Sequence, residues 1–437
     1  MAKKIIYRGF ITCSFIFIMA LGLFSGRVMG QVDVAQNETT FRIDGRSDKR
    51  VTIPFELVNN LIIIEASVNG SVPLKFILDT GVAKTLITSL SNGEEIYLRG
   101  TRTVTLSGLG EGEPVEAFYA VNNSLKVGNI EGSNVDVLFL KEDIFRLSLF
   151  MGTYVHGLIG YDLFSNFAVE INYLSKEIHL YDFEEFEEKF KKLADHRKWH
   201  KFPIIIEDEK PYIDLQFQHK PEAPHVPLRL LIDTGSSNAF SLYELTHEEV
   251  IVPERRINTL IGVGLSGNVN GYLGRIEEME LGDFDFDKPV VAYPDSLAIR
   301  RAFSLGDRNG SLGGETLRRF KVIFHYKGGY ILVRANRDLG DEFHYNISGI
   351  EINTPIPNIP LYVVSDVRKG SPAETQGIQR GDVIRFINGE PTWELSLNEM
   401  LNYLQKDQGS RVLVGVERDT LYKKFRFKLD NELVVDN

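Results

Sequence analysis

The feature that most constrains this chain is that it repeats itself. Val72-Pro73-Leu74-Lys75-Phe76-Ile77-Leu78-Asp79-Thr80-Gly81 recurs as Val226-Pro227-Leu228-Arg229-Leu230-Leu231-Ile232-Asp233-Thr234-Gly235, at an offset of 154. Gly108-Leu109-Gly110 falls on Gly262-Val263-Gly264 at the same offset, and Gly157-Leu158-Ile159-Gly160 on Gly310-Ser311-Leu312-Gly313 at 153. Phe167, Val169 and Tyr173 then match Phe320, Val322 and Tyr326. A register held from Val72 to Tyr173 with one gap means one fold written twice.

Each copy reads as strands. Residues 51–57, 61–68, 74–78, 115–121 and 167–171 are β-branched or aromatic runs bounded by Gly, Asn or Pro, and 202–206, 212–217, 228–232, 321–325 and 330–333 answer them in the second copy. Between the copies, residues 183–198 place Phe and Leu at helical spacing among Glu and Lys, which predicts an amphipathic connecting helix. His196 and His200 stand four apart on it, but no third metal ligand lies near in sequence, so they read as a solvated helix end. Asp283, Asp285 and Asp287, interleaved with Phe284 and Phe286, read as a strand with one solvated face rather than a calcium loop.

Residues 1–30 stand apart. Lys3, Lys4 and Arg8 precede an apolar run from Ile11 to Phe24 and a small-residue stretch ending at Gly30, the pattern of a secretory signal peptide. Its removal would take away four positive charges and the single Cys13, changing the net charge from −11 to −15 and leaving no cysteine. Thiol catalysis, disulfides and thiolate metal sites are thereby excluded from the mature chain. The acidic balance argues against nucleic acid as a partner, since phosphate binding needs clustered Lys and Arg. The expected location is exported: bacterial periplasm, cell envelope or secreted.

An apolar strand running into Asp-Thr-Gly sets a carboxylate on a sharp turn. One such tripeptide is an ordinary turn, but two in phase with a repeat are not. At this point the sequence resembles the aspartic peptidases of the retropepsin-like clan, over residues 45–335. The resemblance implies two β-barrel lobes forming a pseudo-dimer, with Asp79 and Asp233 as the catalytic pair. It implies that Thr80 and Thr234 brace the two loops, with Gly81, Gly235 and Ser237 in support. Leu158-Ile159-Gly160 and Ser311-Leu312-Gly313 are similar to the elements that cross behind the active loops, with Ser311 a departure from the apolar pattern. The glycine-rich turns at 107–113 and 261–274, with Gly108, Gly110, Gly262 and Gly264, stand where that family carries flaps. Two carboxylates a few ångströms apart cannot both ionise, so they share a proton and activate a water between them without metal or cofactor.

Beyond Asn336 the repeat ends. Gly370-Ser371-Pro372-Ala373, Gly377-Ile378, Gly381-Asp382-Val383-Ile384 and Ile387-Asn388-Gly389 resemble a bacterial-type PDZ domain. That resemblance implies a peptide added as a strand beside Ser348, Gly349, Ile350 and Glu351, with backbone amides capturing its carboxylate. The expectation is thus a mainly β chain: signal peptide at 1–30, first lobe at 31–182, linker helix at 183–200, second lobe at 201–336 and an α+β PDZ domain at 337–437. Its expected function is that of an exported aspartic endopeptidase, a monomer acting on a peptide or protein substrate, with a PDZ peptide ligand. The alternatives are a non-catalytic peptide-binding protein of the envelope, and a homodimer whose carboxylate pair forms between chains.

Overall fold

The computed structural model describes residues 39–43, 50–91, 93–110, 112–194, 198–299 and 308–433. The signal peptide expected at 1–30, and His196, lie outside them. The chain is mainly β and is built on four sheets.

The first copy folds around a nine-stranded sheet and the second around a ten-stranded one. In each, the strand that carries the Asp-Thr-Gly loop at its end lies between a hairpin partner and a short crossing strand. Leu74–Leu78 pairs antiparallel with Leu61–Val68 and parallel with Gly157–Ile159. Val226–Ile232 pairs in the same way with Lys210–Gln218 and Gly310–Leu312. The hairpins that deliver these strands turn on two residues with positive φ: Asn59 and Asn60 at 47° and 65°, Asp208 and Glu209 at 49° and 64°. Two consecutive left-handed residues make the turn whose twist matches the flanking strands.

A six-stranded sheet joins the halves, in the order His200–Pro203, Tyr330–Ala335, Phe320–His325, Ala168–Asn172, Glu177–Tyr181, Arg50–Pro54. At its centre Glu170 pairs with Ile323, its own counterpart in the repeat, so the pseudo-twofold axis passes through this pair. Glu170 is buried, yet Lys321 at 2.5 Å and Lys189 at 3.1 Å meet it. Burial pushes its pKa up, but these two cations outweigh burial and hold it below the usual value.

Several elements differ from expectation. The run at 51–57 is two strands, Arg50–Pro54 in the joining sheet and Glu56–Val58 in the first lobe, because Phe55 breaks away to donate to the Lys176 carbonyl at 3.0 Å. The connecting helix spans Phe183–Ala194, so His200 is not on it. His200 opens a strand instead, 3.4 Å from Asp283 and edge-on to Phe284 at 4.7 Å. Phe284–Asp287 is a strand with alternating buried and exposed residues, as the sequence predicts.

The C-terminal region forms a six-stranded sheet of its own, with helices Pro372–Gln376 and Leu397–Leu404. The second helix opens with a capping box between Ser396 and Glu399, which satisfies donors at both ends of the motif. Among the described residues, no helix is long and apolar enough to cross a membrane.

Candidate active site

The two Asp-Thr-Gly loops meet between the lobes, and both come from one chain. Backbone pairing fixes the start of each: the Asp79 amide donates to the Ile159 carbonyl at 2.8 Å, and the Asp233 amide to the Leu312 carbonyl at 2.8 Å. The loops then exchange hydrogen bonds in a reciprocal lock. The Thr80 hydroxyl donates to the Ile232 carbonyl at 2.6 Å and accepts from the Thr234 amide at 3.0 Å. The Thr234 hydroxyl donates to the Leu78 carbonyl at 2.7 Å and accepts from the Thr80 amide at 3.0 Å. All four groups are buried, where an unmade bond costs about 1–3 kcal/mol per group, so the lock sets the spacing of the two loops firmly.

That spacing brings Asp79 and Asp233 together. The Gly81 amide donates to Asp79 Oδ1 at 2.7 Å, and the Gly235 amide to Asp233 Oδ1 at 3.0 Å. Gly235 also presses on the opposite carboxylate: a Cβ there would stand 2.3 Å from Asp79 Cγ. Burial first, then the charge of Asp233, holds the Asp79 carboxyl well above the usual carboxylate range; the Gly81 amide and Lys210 pull weakly the other way. With both carboxyls ionised, Asp79 Oδ2 faces no donor. A proton held between the two side chains supplies one, and a hydrogen bond between them then forms.

Ser237 is buried behind the second loop, and its carbonyl accepts from Asn60 Nδ2 at 3.1 Å. Asn60 sits at the tip of the first lobe's hairpin and also donates to Glu315 at 2.8 Å. The second lobe returns the contact: Glu209, at the tip of its hairpin, pairs with Lys84 beyond the first loop at 3.1 Å. Each lobe thus props the other's active loop. These props escape sequence reading because the hairpins follow an offset of 149 rather than 154, and their tips share no residue type.

The glycine-rich turns of the two lobes touch. In the second lobe Arg256–Gly264 and Gly267–Arg275 pair up to Gly264 opposite Gly267, with a register shift at Gly262. The first lobe's strands pair only as far as Leu106 opposite Val115, leaving a loop beyond. The Ser266 amide donates to the Leu109 carbonyl at 2.9 Å, the Gly112 amide to the Ser266 carbonyl at 2.6 Å, and the Gly108 amide to Ser266 Oγ at 3.3 Å. Gly110, at φ 124°, lies so close that a Cβ would meet the Ser266 carbonyl carbon at 2.4 Å. The tips of the two lobes thus interlock through backbone hydrogen bonds.

In the C-terminal domain, Ser348 and Gly349 precede the edge strand Ile350–Asn353, which contains Ile350 and Glu351. Two of the amides are already engaged. That of Ser348 donates to Asn346 Oδ1 at 3.2 Å and to the Leu404 carbonyl at 3.3 Å, and that of Ile350 to Ser348 Oγ at 3.0 Å. Glu351 is buried, and its carboxyl is pushed up to about 8, chiefly by burial. The first lobe abuts this strand and helix. The Leu149 carbonyl accepts from the Thr354 amide at 2.9 Å, and the Asn398 side chain holds the Asn59 amide at 2.9 Å and the Leu57 carbonyl at 2.8 Å. A cavity of about 370 Å³ lies at this junction, beside Ser237 and Asn238 of the second loop.

Two surface groups have ligand atoms close enough for a metal, His225 with Glu278 and Glu280, and Glu342 with His344 and Asp407. Neither includes a residue of the active loops.

A family model for aspartyl protease matches residues 64–163, and one for the PDZ domain matches residues 363–418. The first match contains Asp79 and stops before Asp233; the internal repeat extends the likeness to the second lobe. An InaD-like protein of Canis lupus familiaris is 32% identical over 99 residues, 23% of this chain and 5% of that protein. A photosystem II D1 C-terminal processing protease has 25% sequence identity, with 20% of this chain and 24% of that one covered at a TM-score of 0.19. The chain thus combines an aspartyl protease-like domain with a PDZ domain.

Proposed function

We propose that the chain is an aspartic endopeptidase in which Asp79 and Asp233 activate one water against a peptide carbonyl. The observation that carries this reading is the reciprocal threonine lock, which holds two buried carboxyls against each other. In the singly protonated pair, the ionised carboxylate takes a proton from the water while the protonated one donates to the scissile carbonyl. The interlocked tips order an extended substrate and exclude bulk water. Which residue carries the proton is a property of the pair. The PDZ domain would bind a peptide or protein partner once the contacts of its carboxylate loop are exchanged for those of a ligand. An exported location rests on the expected signal peptide alone.

Asp79→Asn and Asp233→Asn test the reading separately. Each should lower kcat/KM on a randomised peptide mixture by at least about 10³-fold, while circular dichroism shows the fold retained. Normal cleavage by either variant would refute a single shared site.

A further inference from the structure

Beside the active loops, the two lobes carry opposed chemistry on matching backbone. In the first lobe, strand register sets Ile63 beside Ile77, and Leu158 beside both Ile77 and Leu86, on one sheet face. Leu61, two residues before Ile63, shares that face, and Val155 precedes the crossing strand. All six belong to one buried apolar cluster, which also takes in Leu260, Val263 and Leu265 from the second lobe's hairpin.

In the second lobe the same row reads Tyr212, Leu231, Ser311 and Ser241. Lys210 replaces Leu61 and Arg308 replaces Val155, by the repeat offsets of 149 and 153. Both cations are buried, Lys210 at 2% exposure and Arg308 at 7%. Among the described residues, neither forms an ion pair. The Arg308 guanidinium lies 5.5 Å from the ring of Tyr243, two residues past Ser241 on the same face. Burial and the neighbouring charge of Arg308 pull the Lys210 ammonium down to about 8, against the opposing pull of Asp208, Glu209 and Asp79. The Ser241 and Ser311 hydroxyls are buried without a hydrogen-bond partner.

Buried charge without an ion-pair partner costs several kcal/mol per ion, and perturbed buried groups of this kind concentrate at functional sites. We propose that this wall of the second lobe is a subsite for an acidic side chain of the substrate, whose carboxylate pairs with Lys210 and Arg308 and accepts from Ser241 and Ser311. The apolar wall of the first lobe takes an apolar residue on the other side of the scissile bond. This rests on the peptidase reading and adds its substrate class: peptides with Glu or Asp on one side of the cut. It also gives the serine at position 311, which breaks the apolar pattern of the crossing element, a place in the site.

The test uses peptides acetylated and amidated at their ends, so that only side chains carry carboxylates, with a parallel set bearing a free C-terminus. Replacing the acidic residue beside the cut by Gln should lower kcat/KM by about 10- to 100-fold. The double variant Lys210→Met, Arg308→Leu should lose that discrimination and favour Leu at the same position. It should also melt at a higher temperature than the parent, because it removes two unpaired buried charges, so lost discrimination would not signal unfolding. Equal cleavage of Glu and Gln peptides, discrimination surviving in the double variant, or preference appearing only with a free C-terminus would each overturn the subsite. A second measurement, anisotropy of the same capped peptides on the Asp79→Asn protein, reads the subsite without turnover. Binding that depends on Glu with no cleavage by the parent would refute the peptidase reading and keep the subsite. Cleavage with no dependence on Glu would do the reverse.

Discussion

In the first lobe, Asp162 lies in the opening turn of the short helix Tyr161–Asn166 behind the active loop; in the second, Glu315 opens the corresponding helix Gly314–Leu317. The positions are equivalent at an offset of 153, and the solutions differ. Asp162 is buried with the Thr85 hydroxyl at a long 3.4 Å. Glu315 is clasped by Arg318 at 2.9 and 2.8 Å, by Arg319 at 3.0 Å and by Asn60 at 2.8 Å. A few residues away, the threonine lock has nearly the same donated bonds on both sides, 2.6 against 2.7 Å. Symmetry has persisted where two carboxyls must be presented to each other, and each lobe has otherwise settled its polar groups in its own way.

The sharpest way to break that symmetry is at the second glycine. Gly235→Ala would place a methyl group 2.3 Å from Asp79 Cγ, well inside contact distance. Because misplacing a reacting group by about 1 Å can cost about 10²-fold, kcat/KM should fall at least that far while KM changes less. Steady-state kinetics on a cleavable peptide checks it; unaltered turnover would mean that the loop does not clamp the opposite carboxyl.

The lock comes next. Thr80→Val leaves the Ile232 carbonyl and the Thr234 amide without partners, and Thr234→Val does the same to the Leu78 carbonyl and the Thr80 amide. Each substitution should cost about 3–5 kcal/mol in denaturant unfolding, and the double variant less than the sum, because the two side chains share one network. Matched costs would sharpen the comparison. A large cost on one side only would show that the reciprocal geometry does not carry reciprocal energy.

The lobes and the meeting of Asp79 with Asp233 were legible because a duplicated run ending in Asp-Thr-Gly leaves few ways to bury two identical strands. The contrasting walls were hidden for a different reason. Leu61 and Lys210 correspond only once the hairpins are aligned at their own offset, and Arg308 stands ahead of the crossing strand rather than in it. The division of 51–57 into two strands depended on a distant partner, Lys176, beyond the whole first lobe's loop, and no local pattern carries that. His200 likewise left the helical pattern because the joining sheet offered its strand a ladder with Tyr330–Ala335.

The smallest expected effect separates Asp162 from Glu315 by pH. Burial raises the Asp162 carboxyl to about 6, with the Lys84 charge opposing, against an ordinary value of 3.8. A folded-state pKa above the unfolded one means that the native state holds its proton longer. The stability from that proton is complete below about pH 4 and is lost as pH rises through 6. The shift corresponds to roughly 3 kcal/mol at most. Asp162→Asn removes the titrating group, so the decline in stability between about pH 4 and 6 should flatten and the variant should gain on the parent at neutral pH. Glu315→Gln takes an ionised partner from Arg318 and Arg319 and should destabilise the protein at neutral pH by about 1–3 kcal/mol. Urea midpoints followed across pH 4 to 8 would read both. If the two variants moved the same way at pH 7, the lobes would be handling their equivalent carboxyls alike, and the contrast between them would be one of geometry only.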